Sequence, residues 1–328
     1  MTRVPFGIRG TGSSVPEKIL SNDDLSQLVE TSDEWITQRT GIKERRILEE
    51  GRTTSDLCID AARKALDAAQ MNASELDLII LGTVTPDRHV SATACKIQKE
   101  LGCGTIPAFD MAAGCTGFIY ASSVASQFLG NGTYKNVLVI GAEALSRITN
   151  YRDRTSCILF GDGAGAVIYS TEFEHGEMLG SEIFGDGNGY DVMYQLAGAS
   201  EMAITPEVLD ANDHKLVIRG REVYKFAVGR MVELIRGQRD AHPELELGAV
   251  VPHQVNMRII ESACQKLDLP IDRLFLNIEK YGNTSAGSVP IALDEAIRSG
   301  FLDDKSGKLL VMCAFGAGLT WGSLGIRW

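Results

Sequence analysis

Three residues carry side chains that could do chemistry together. Cys115 lies in the run Asp110-Met-Ala-Ala-Gly-Cys-Thr-Gly-Phe-Ile-Tyr120, which reads as a strand end, a tight small-residue turn and an apolar helix. A thiol at a helix N-terminus meets unpaired N–H groups and the positive end of the helix dipole, and both favour the thiolate. A thiolate is a nucleophile, and the same N–H groups can bind an oxyanion. His253 follows a buried strand in Val250-Val-Pro-His-Gln-Val-Asn256. Asn283 sits in a small-residue turn before a helix in Tyr281-Gly-Asn-Thr-Ser-Ala-Gly-Ser-Val-Pro290. Singly, each has a bland role: a buried apolar cysteine, a structural histidine, a turn or N-cap asparagine. As a set they supply a nucleophile, a proton-bearing ring and N–H donors for a developing negative oxygen.

The elements that must position them alternate along the chain. Apolar runs at 76–86, 137–142, 247–255 and 309–316 read as buried strands. Residues 55–70 place Leu57, Ala61, Ala65, Leu66 and Ala69 at helical spacing. Residues 116–130, 221–239 and 256–267 are further helices. Thr31-Ser-Asp-Glu34 predicts a capping box leading into Trp35, with Gly41 as the helix stop. Strands alternating with helices imply an α/β fold with largely parallel, buried sheets. A faint duplication is visible. Residues 157–169 and 309–327 both read as strand, Gly-x-Gly turn, strand. Two halves, 1–174 and 175–328, would explain it. Gly161-Asp-Gly-Ala-Gly165 looks like part of a dinucleotide fingerprint, but a strand follows where that fingerprint needs a helix. A tight hairpin is expected there instead.

Composition bounds the partners. The 328 residues are 44% hydrophobic and 23% charged, as in an ordinary globular chain. A net charge of −11 argues against nucleic-acid binding, which draws on a basic surface. The seven cysteines show no CxxC or metal-ligand spacing, so neither a disulfide framework nor a metal site is expected. A reducing, cytoplasmic setting follows as an expectation, with no signal peptide and no membrane span.

Seven motifs in order give the chain an end-to-end resemblance to the β-ketoacyl-ACP synthase III family. They are Gly10-Thr-Gly12, Thr31-Ser-Asp-Glu-Trp-Ile36 with Arg39-Thr-Gly-Ile42, the Cys115 turn, Phe160-Gly-Asp-Gly-Ala-Gly165, Pro252-His-Gln254, Gly282-Asn-Thr-Ser285 and Phe315-Gly-Ala-Gly-Leu-Thr-Trp-Gly322. The resemblance implies a thiolase-like, five-layered αβαβα fold of two duplicated halves, and a homodimer. It implies a decarboxylative condensation of an acyl-CoA with malonyl-acyl carrier protein (ACP) that starts fatty-acid synthesis, with no metal or redox cofactor. Cys115 would carry the acyl group, and the N–H groups of Cys115 and Gly318 would hold the oxyanion. His253 and Asn283 would hydrogen-bond the malonyl thioester carbonyl as CO₂ leaves. Asn283 stands where elongating synthases have a second histidine, which favours the initiating type.

The same resemblance places Trp35, Arg39 and Arg154 at the CoA nucleotide and Gly220, Val255 and Asn256 along the pantetheine tunnel. It puts Lys225, Arg258 and Lys266 at the rim that would meet an acidic carrier. Val90 aligns where some members place a phenylalanine that closes the acyl pocket from the partner subunit. The smaller side chain implies room for a primer longer or more branched than acetyl. The alternatives are an acyl-CoA-dependent acyltransferase that does not condense, a condensing enzyme of secondary metabolism or polyketide starter synthesis, and a non-catalytic binding protein of the same fold.

Overall fold

The computed structural model describes residues 3–328. The first half contains β1 (Gly7–Ser14), β2 (Ile19–Ser21), α1 (Asn22–Ser26), α2 (Asp33–Thr40), β3 (Glu44–Arg46) and α3 (Thr54–Ala69). It continues with β4 (Leu78–Gly82), α4 (Thr93–Leu101), β5 (Ala108–Met111), α5 (Gly117–Gly130), β6 (Asn136–Glu143) and β7 (Gly163–Ser170). The second contains β8 (His175–Gly185), β9 (Met193–Gln195), α6 (Pro206–Ala211), β10 (Leu216–Ile218), α7 (Gly220–Ala241) and β11 (Leu247–Pro252). It ends with α8 (Met257–Leu267), α9 (Ile278–Tyr281), α10 (Ser288–Arg298), β12 (Leu309–Gly316) and β13 (Thr320–Arg327).

Nine strands hydrogen-bond in the order β11-β12-β13-β8-β1-β7-β6-β4-β5. β1 and β8 join at the centre through only Gly7↔Glu177 and Ile8↔His175. Outward from that join, each wing repeats one pattern. Its first two pairings are antiparallel (β1/β7 and β7/β6; β8/β13 and β13/β12), and the next is parallel (β6/β4; β12/β11). The repeated pairing gives the faint sequence duplication its structural form.

Strand periodicity sorts the side chains into layers. Ile79, Leu81, Leu138 and Ile140 point to one face and pack beneath α3. Their neighbours Leu78, Ile80, Val137 and Val139 point to the other face, toward α5 and α10. α5 and α10 also pack on Val251, Met312 and Ala314 of the opposite wing. The far face of that wing, with Val250, Val311 and Cys313, is covered by α7 and α8. The result is five layers, with α5 and α10 shared between the two wings. Glycine permits the closest approach on the outer face: a Cβ at Gly12 would lie 2.3 Å from the carbonyl oxygen of Ala61 in α3.

The sheet is mixed rather than largely parallel, with five antiparallel and three parallel pairings, and two local expectations are also corrected. The cap of α2 is Ser32, whose hydroxyl accepts from the Trp35 N–H at 3.2 Å, and not a box between Thr31 and Glu34. Gly41 does end the helix, in the left-handed conformation at φ +78°. Residues 157–159 form turns rather than a strand, so Gly161-Asp-Gly is not a hairpin. Gly161 is needed for packing instead, because a Cβ there would sit 2.2 Å from the Tyr281 carbonyl oxygen.

Candidate active site

Cys115 leaves β5 through a left-handed Gly114 (φ +51°) and lies in a short 3₁₀ turn, Gly114–Thr116, directly before α5. The helix-start placement is as expected; burial pushes the Cys115 thiol up to about 11, with the Glu143 charge adding to it and the Ser285 hydroxyl and a backbone hydrogen bond opposing it. The β12–β13 turn closes over this segment. A Cβ on Gly316 would fall 2.8 Å from the Cys115 Cβ and 3.2 Å from its Sγ. A Cβ on Gly114 would fall 3.2 Å from the Ala317 nitrogen. The parts of the turn against Cys115 are therefore Gly316 and Ala317. Gly318 faces Thr320 (2.7 Å from its own notional Cβ) and lies past the position assigned to it from the sequence.

His253 extends from the end of β11, its N–H donating to the Cys313 carbonyl at 2.8 Å. Its Nδ1 pairs with the Ser288 hydroxyl at 2.6 Å, and its ring meets Phe315 edge to face at 5.8 Å. Nε2 is buried and has no partner among the described residues. Burial holds the imidazole down at about 3, so the ring is neutral. Asn283 is clamped by its backbone: its N–H donates to Leu159 O at 2.8 Å and its carbonyl accepts from Gly161 at 3.1 Å. Its amide oxygen accepts from the Ser285 N–H at 2.8 Å, which leaves the amide NH₂ for a ligand. Cys115, from one half, thus meets His253 and Asn283, from the other, around one small chamber with Phe226, Val255 and Leu319.

Two larger spaces open from this chamber. A tunnel of about 680 Å³ runs outward past Asn283, Val255, Asn256, Gly220 and Arg258 to Trp35 and Arg39. The Arg39 and Arg154 guanidiniums lie 4.2 and 5.4 Å from the Trp35 ring centre, so all three predicted nucleotide residues cluster. Asn256 also caps α8, its side chain accepting from the Arg258 N–H at 2.9 Å. Lys225, Arg258 and Lys266 are exposed on α7 and α8. On the inner side of Cys115, an apolar cavity of about 230 Å³ is bounded by Leu145, Ile148, Phe160, Tyr194 and Leu216. Val90 does not reach it: the residue is 98% exposed on the loop before α4.

Sequence reasoning missed Ser288, Ser285, Glu143, Phe315 and the walls of the inner cavity. Met193 is the most placed of them, lining the tunnel, the chamber and the inner cavity alike. Ser285, Ser288, Phe315 and Phe160 lie inside runs already singled out, but nothing in those runs marks their roles; Glu143 and Met193 carry no motif. Among the described residues, no cluster of three or more His, Cys, Asp or Glu suited to a metal is present. No helix among them is long and apolar enough to cross a membrane.

A duplicated α/β fold of five layers, with a buried cysteine from one half against a histidine from the other, is that of the thiolase-like condensing enzymes. Comparison with known proteins narrows this. The family model "3-Oxoacyl-[acyl-carrier-protein (ACP)] synthase III" matches residues 109–187, and its C-terminal counterpart matches residues 241–328. The β-ketoacyl-[acyl-carrier-protein] synthase III of Caldanaerobacter subterraneus subsp. tengcongensis is 48% identical over 99% of this chain and 98% of its own. The crystal structure of 3-oxoacyl-[acyl-carrier-protein] synthase III from Aquifex aeolicus VF5 superposes with a TM-score of 0.89 at 43% identity, covering 98% of this chain and all of that one. The priming β-ketosynthase of the R1128 polyketide biosynthetic pathway gives 0.88 at 30% identity, over 99% of this chain and 97% of that one. The chain belongs to the β-ketoacyl-[acyl-carrier-protein] synthase III family.

Proposed function

We propose that this chain performs the family's priming condensation: an acyl-CoA and malonyl-ACP give 3-ketoacyl-ACP, CO₂ and CoA, the first carbon–carbon bond of fatty-acid synthesis. The observation that carries the reading is the meeting of Cys115, His253 and Asn283 at the inner end of a tunnel with Trp35 and two arginines at its mouth. Cys115 takes the acyl group, which occupies the inner apolar cavity. The oxyanion of the tetrahedral intermediate is held by the N–H groups of Cys115 and, from the geometry of the β12–β13 turn, Ala317 rather than Gly318. His253 Nε2, with no protein partner, and the Asn283 NH₂ face the malonyl thioester carbonyl. Loss of CO₂ puts an enolate charge on that oxygen, and removing one such donor typically costs about 2.7–4 kcal/mol of barrier. The carbanion then attacks the acyl-Cys115 and frees the sulfur. This chemistry needs no metal or redox cofactor.

Trp35, Arg39 and Arg154 receive the nucleotide, and Gly220, Val255 and Asn256 pass the pantetheine arm. Lys225, Arg258 and Lys266 form a basic rim for the acidic carrier on a chain of net charge −11. We read the chain as two fused halves, 1–174 and 175–328, assembled as a cytoplasmic homodimer in which Val90 meets the partner subunit. Its 98% exposure on one subunit accords with that role. The test is a panel of acetyl-, isobutyryl-, octanoyl- and lauroyl-CoA with malonyl-ACP, products read by mass. A 3-ketoacyl-ACP product that disappears in Cys115→Ala establishes the reading. Acylated Cys115 without CO₂ release overturns it in favour of a plain acyltransferase.

A further inference from the structure

Asn283 can serve the reaction only if its amide is aimed, and the segments that aim it converge on one buried side chain. On one side its backbone is held by the turn at 157–161, through the Leu159 carbonyl and the Gly161 N–H. On the other it follows Gly282, whose φ of +63° suits glycine and where a Cβ would lie 2.7 Å from that same Leu159 oxygen. Arg45, in β3, packs against both segments. A Cβ on Gly161 would lie 3.1 Å from the Arg45 Cβ, and one on Gly282 would lie 3.3 Å from it. The Arg45 guanidinium then reaches the turn itself, Nη2 donating to the Ile158 carbonyl at 2.7 Å.

The other arm of the guanidinium is anchored elsewhere. Nη1 donates to Asn22 Oδ1 at 2.9 Å and to the Leu20 carbonyl at 3.1 Å. Asn22 is itself fixed, its amide NH₂ donating to Asp33 Oδ1 and to the Ile42 carbonyl, both at 2.8 Å. Arg45 is fully buried, all three of its acceptors are uncharged, and its Nε has no partner among the described residues. A buried charge with neutral acceptors and one idle donor is a poor source of stability, and apolar side chains of similar volume often fill such a site as well. What a guanidinium adds is a rigid planar fork with donors at fixed angles. Here the fork ties β2 and α1 to Ile158, one residue before the carbonyl that accepts from Asn283.

We propose that Arg45 is a positioning residue for the condensation. By holding the 157–161 turn at Ile158, it sets the Asn283 backbone and so the line along which the Asn283 NH₂ meets the malonyl thioester carbonyl. The Asn283 amide oxygen is held separately by the Ser285 N–H at 2.8 Å, which fixes the face the amide presents. Arg45 governs where that amide stands. It lines neither the tunnel, the chamber nor the inner cavity, so it acts through Asn283 and not on substrate. Cys115 is carried by the turn between β5 and α5, outside this set of bonds. Loss of the fork therefore slows decarboxylation and spares acylation.

This role rests on the reading of Asn283 as a donor to the malonyl carbonyl. Two half-reactions are measured: acylation of Cys115 at saturating acetyl-CoA, by peptide mass, and CO₂ release from malonyl-ACP by the acetylated enzyme. The proteins are wild type, Arg45→Met, Arg45→Lys, Asn283→Ala and the double variant Arg45→Met with Asn283→Ala. Arg45→Met keeps a stem and removes the fork. It should release CO₂ about 10²-fold more slowly, the scale for a group displaced by an ångström, with acylation close to wild type. On the Asn283→Ala background the same substitution should cost nothing further, because the group it positions is gone. Arg45→Lys keeps the charge without the two-armed fork and should behave as Arg45→Met does; if Arg45→Met does not fold, Arg45→Lys takes its place in the double variant. A role in folding alone predicts that both half-reactions fall together and that the two substitutions add. Either of those results, or wild-type CO₂ release in Arg45→Met or Arg45→Lys, overturns the proposal while Asn283→Ala remains slow. Wild-type CO₂ release in Asn283→Ala overturns the reading of Asn283, and the positioning role with it.

Discussion

Cys115 and His253 share one buried chamber, and burial moves both protonation equilibria toward the neutral form. For His253 this has a thermodynamic consequence. Its folded value, about 3, lies below the 6.5 of an unburied imidazole, so below pH 6.5 the unfolded chain binds a proton that the folded chain refuses. The stability His253 provides is complete above pH 6.5 and is lost as pH falls toward 3. Urea unfolding at fixed pH should show wild type losing about 1.4 kcal/mol per pH unit relative to His253→Asn across that window. Parallel stability curves would mean that the ring is hydrated or paired. That Cys115, His253 and Asn283 form one set was legible in the sequence because each sits in a run of unusual local composition. Their supports were not. Ser288 reaches His253 across 35 residues and Glu143 reaches Ser285 across 142, and such pairs exist only once the fold has closed.

At the scale of elements, helices and strands followed the apolar spacing closely, since period and burial are local properties. The failures fell where tertiary contact chose the conformation. Residues 157–159 have strand-like composition, yet they turn, so that Leu159 and Gly161 can clamp the Asn283 backbone. The close approaches between elements make sharp predictions. Gly12→Ala forces a methyl into the α3 backbone at Ala61 and should destabilise the fold by about 1–3 kcal/mol, read by chemical denaturation. Gly316→Ala forces one into Cys115 itself. It should leave the fold largely intact while lowering kcat/KM about 10²-fold, the scale expected when a reacting group is displaced by an ångström. Wild-type turnover in Gly316→Ala would place the reacting atoms elsewhere.

At the scale of the molecule, a −11 chain must present local positive charge to attract an acidic carrier. Lys225→Glu with Lys266→Glu, both exposed and outside the tunnel walls, should raise KM for malonyl-ACP about tenfold at low salt. KM for acyl-CoA should not move, and added salt should erase the difference. Val90→Asp should weaken self-association by sedimentation if that exposed loop meets a second copy. On the proposed function, primer preference should follow the size of the inner cavity. Each further methylene buried there is worth about 0.8 kcal/mol, or roughly fourfold in kcat/KM, until the chain meets its wall. Activity restricted to acetyl-CoA would show that the partner subunit closes the cavity despite the small Val90. Met193 borders the tunnel, the chamber and the inner cavity at once. On the same reading, a substitution there that admits a longer primer should also reshape the tunnel assigned to the malonyl arm. A variant at Met193 that enlarges the inner cavity should therefore change turnover together with primer range, and second changes elsewhere in the walls should restore it.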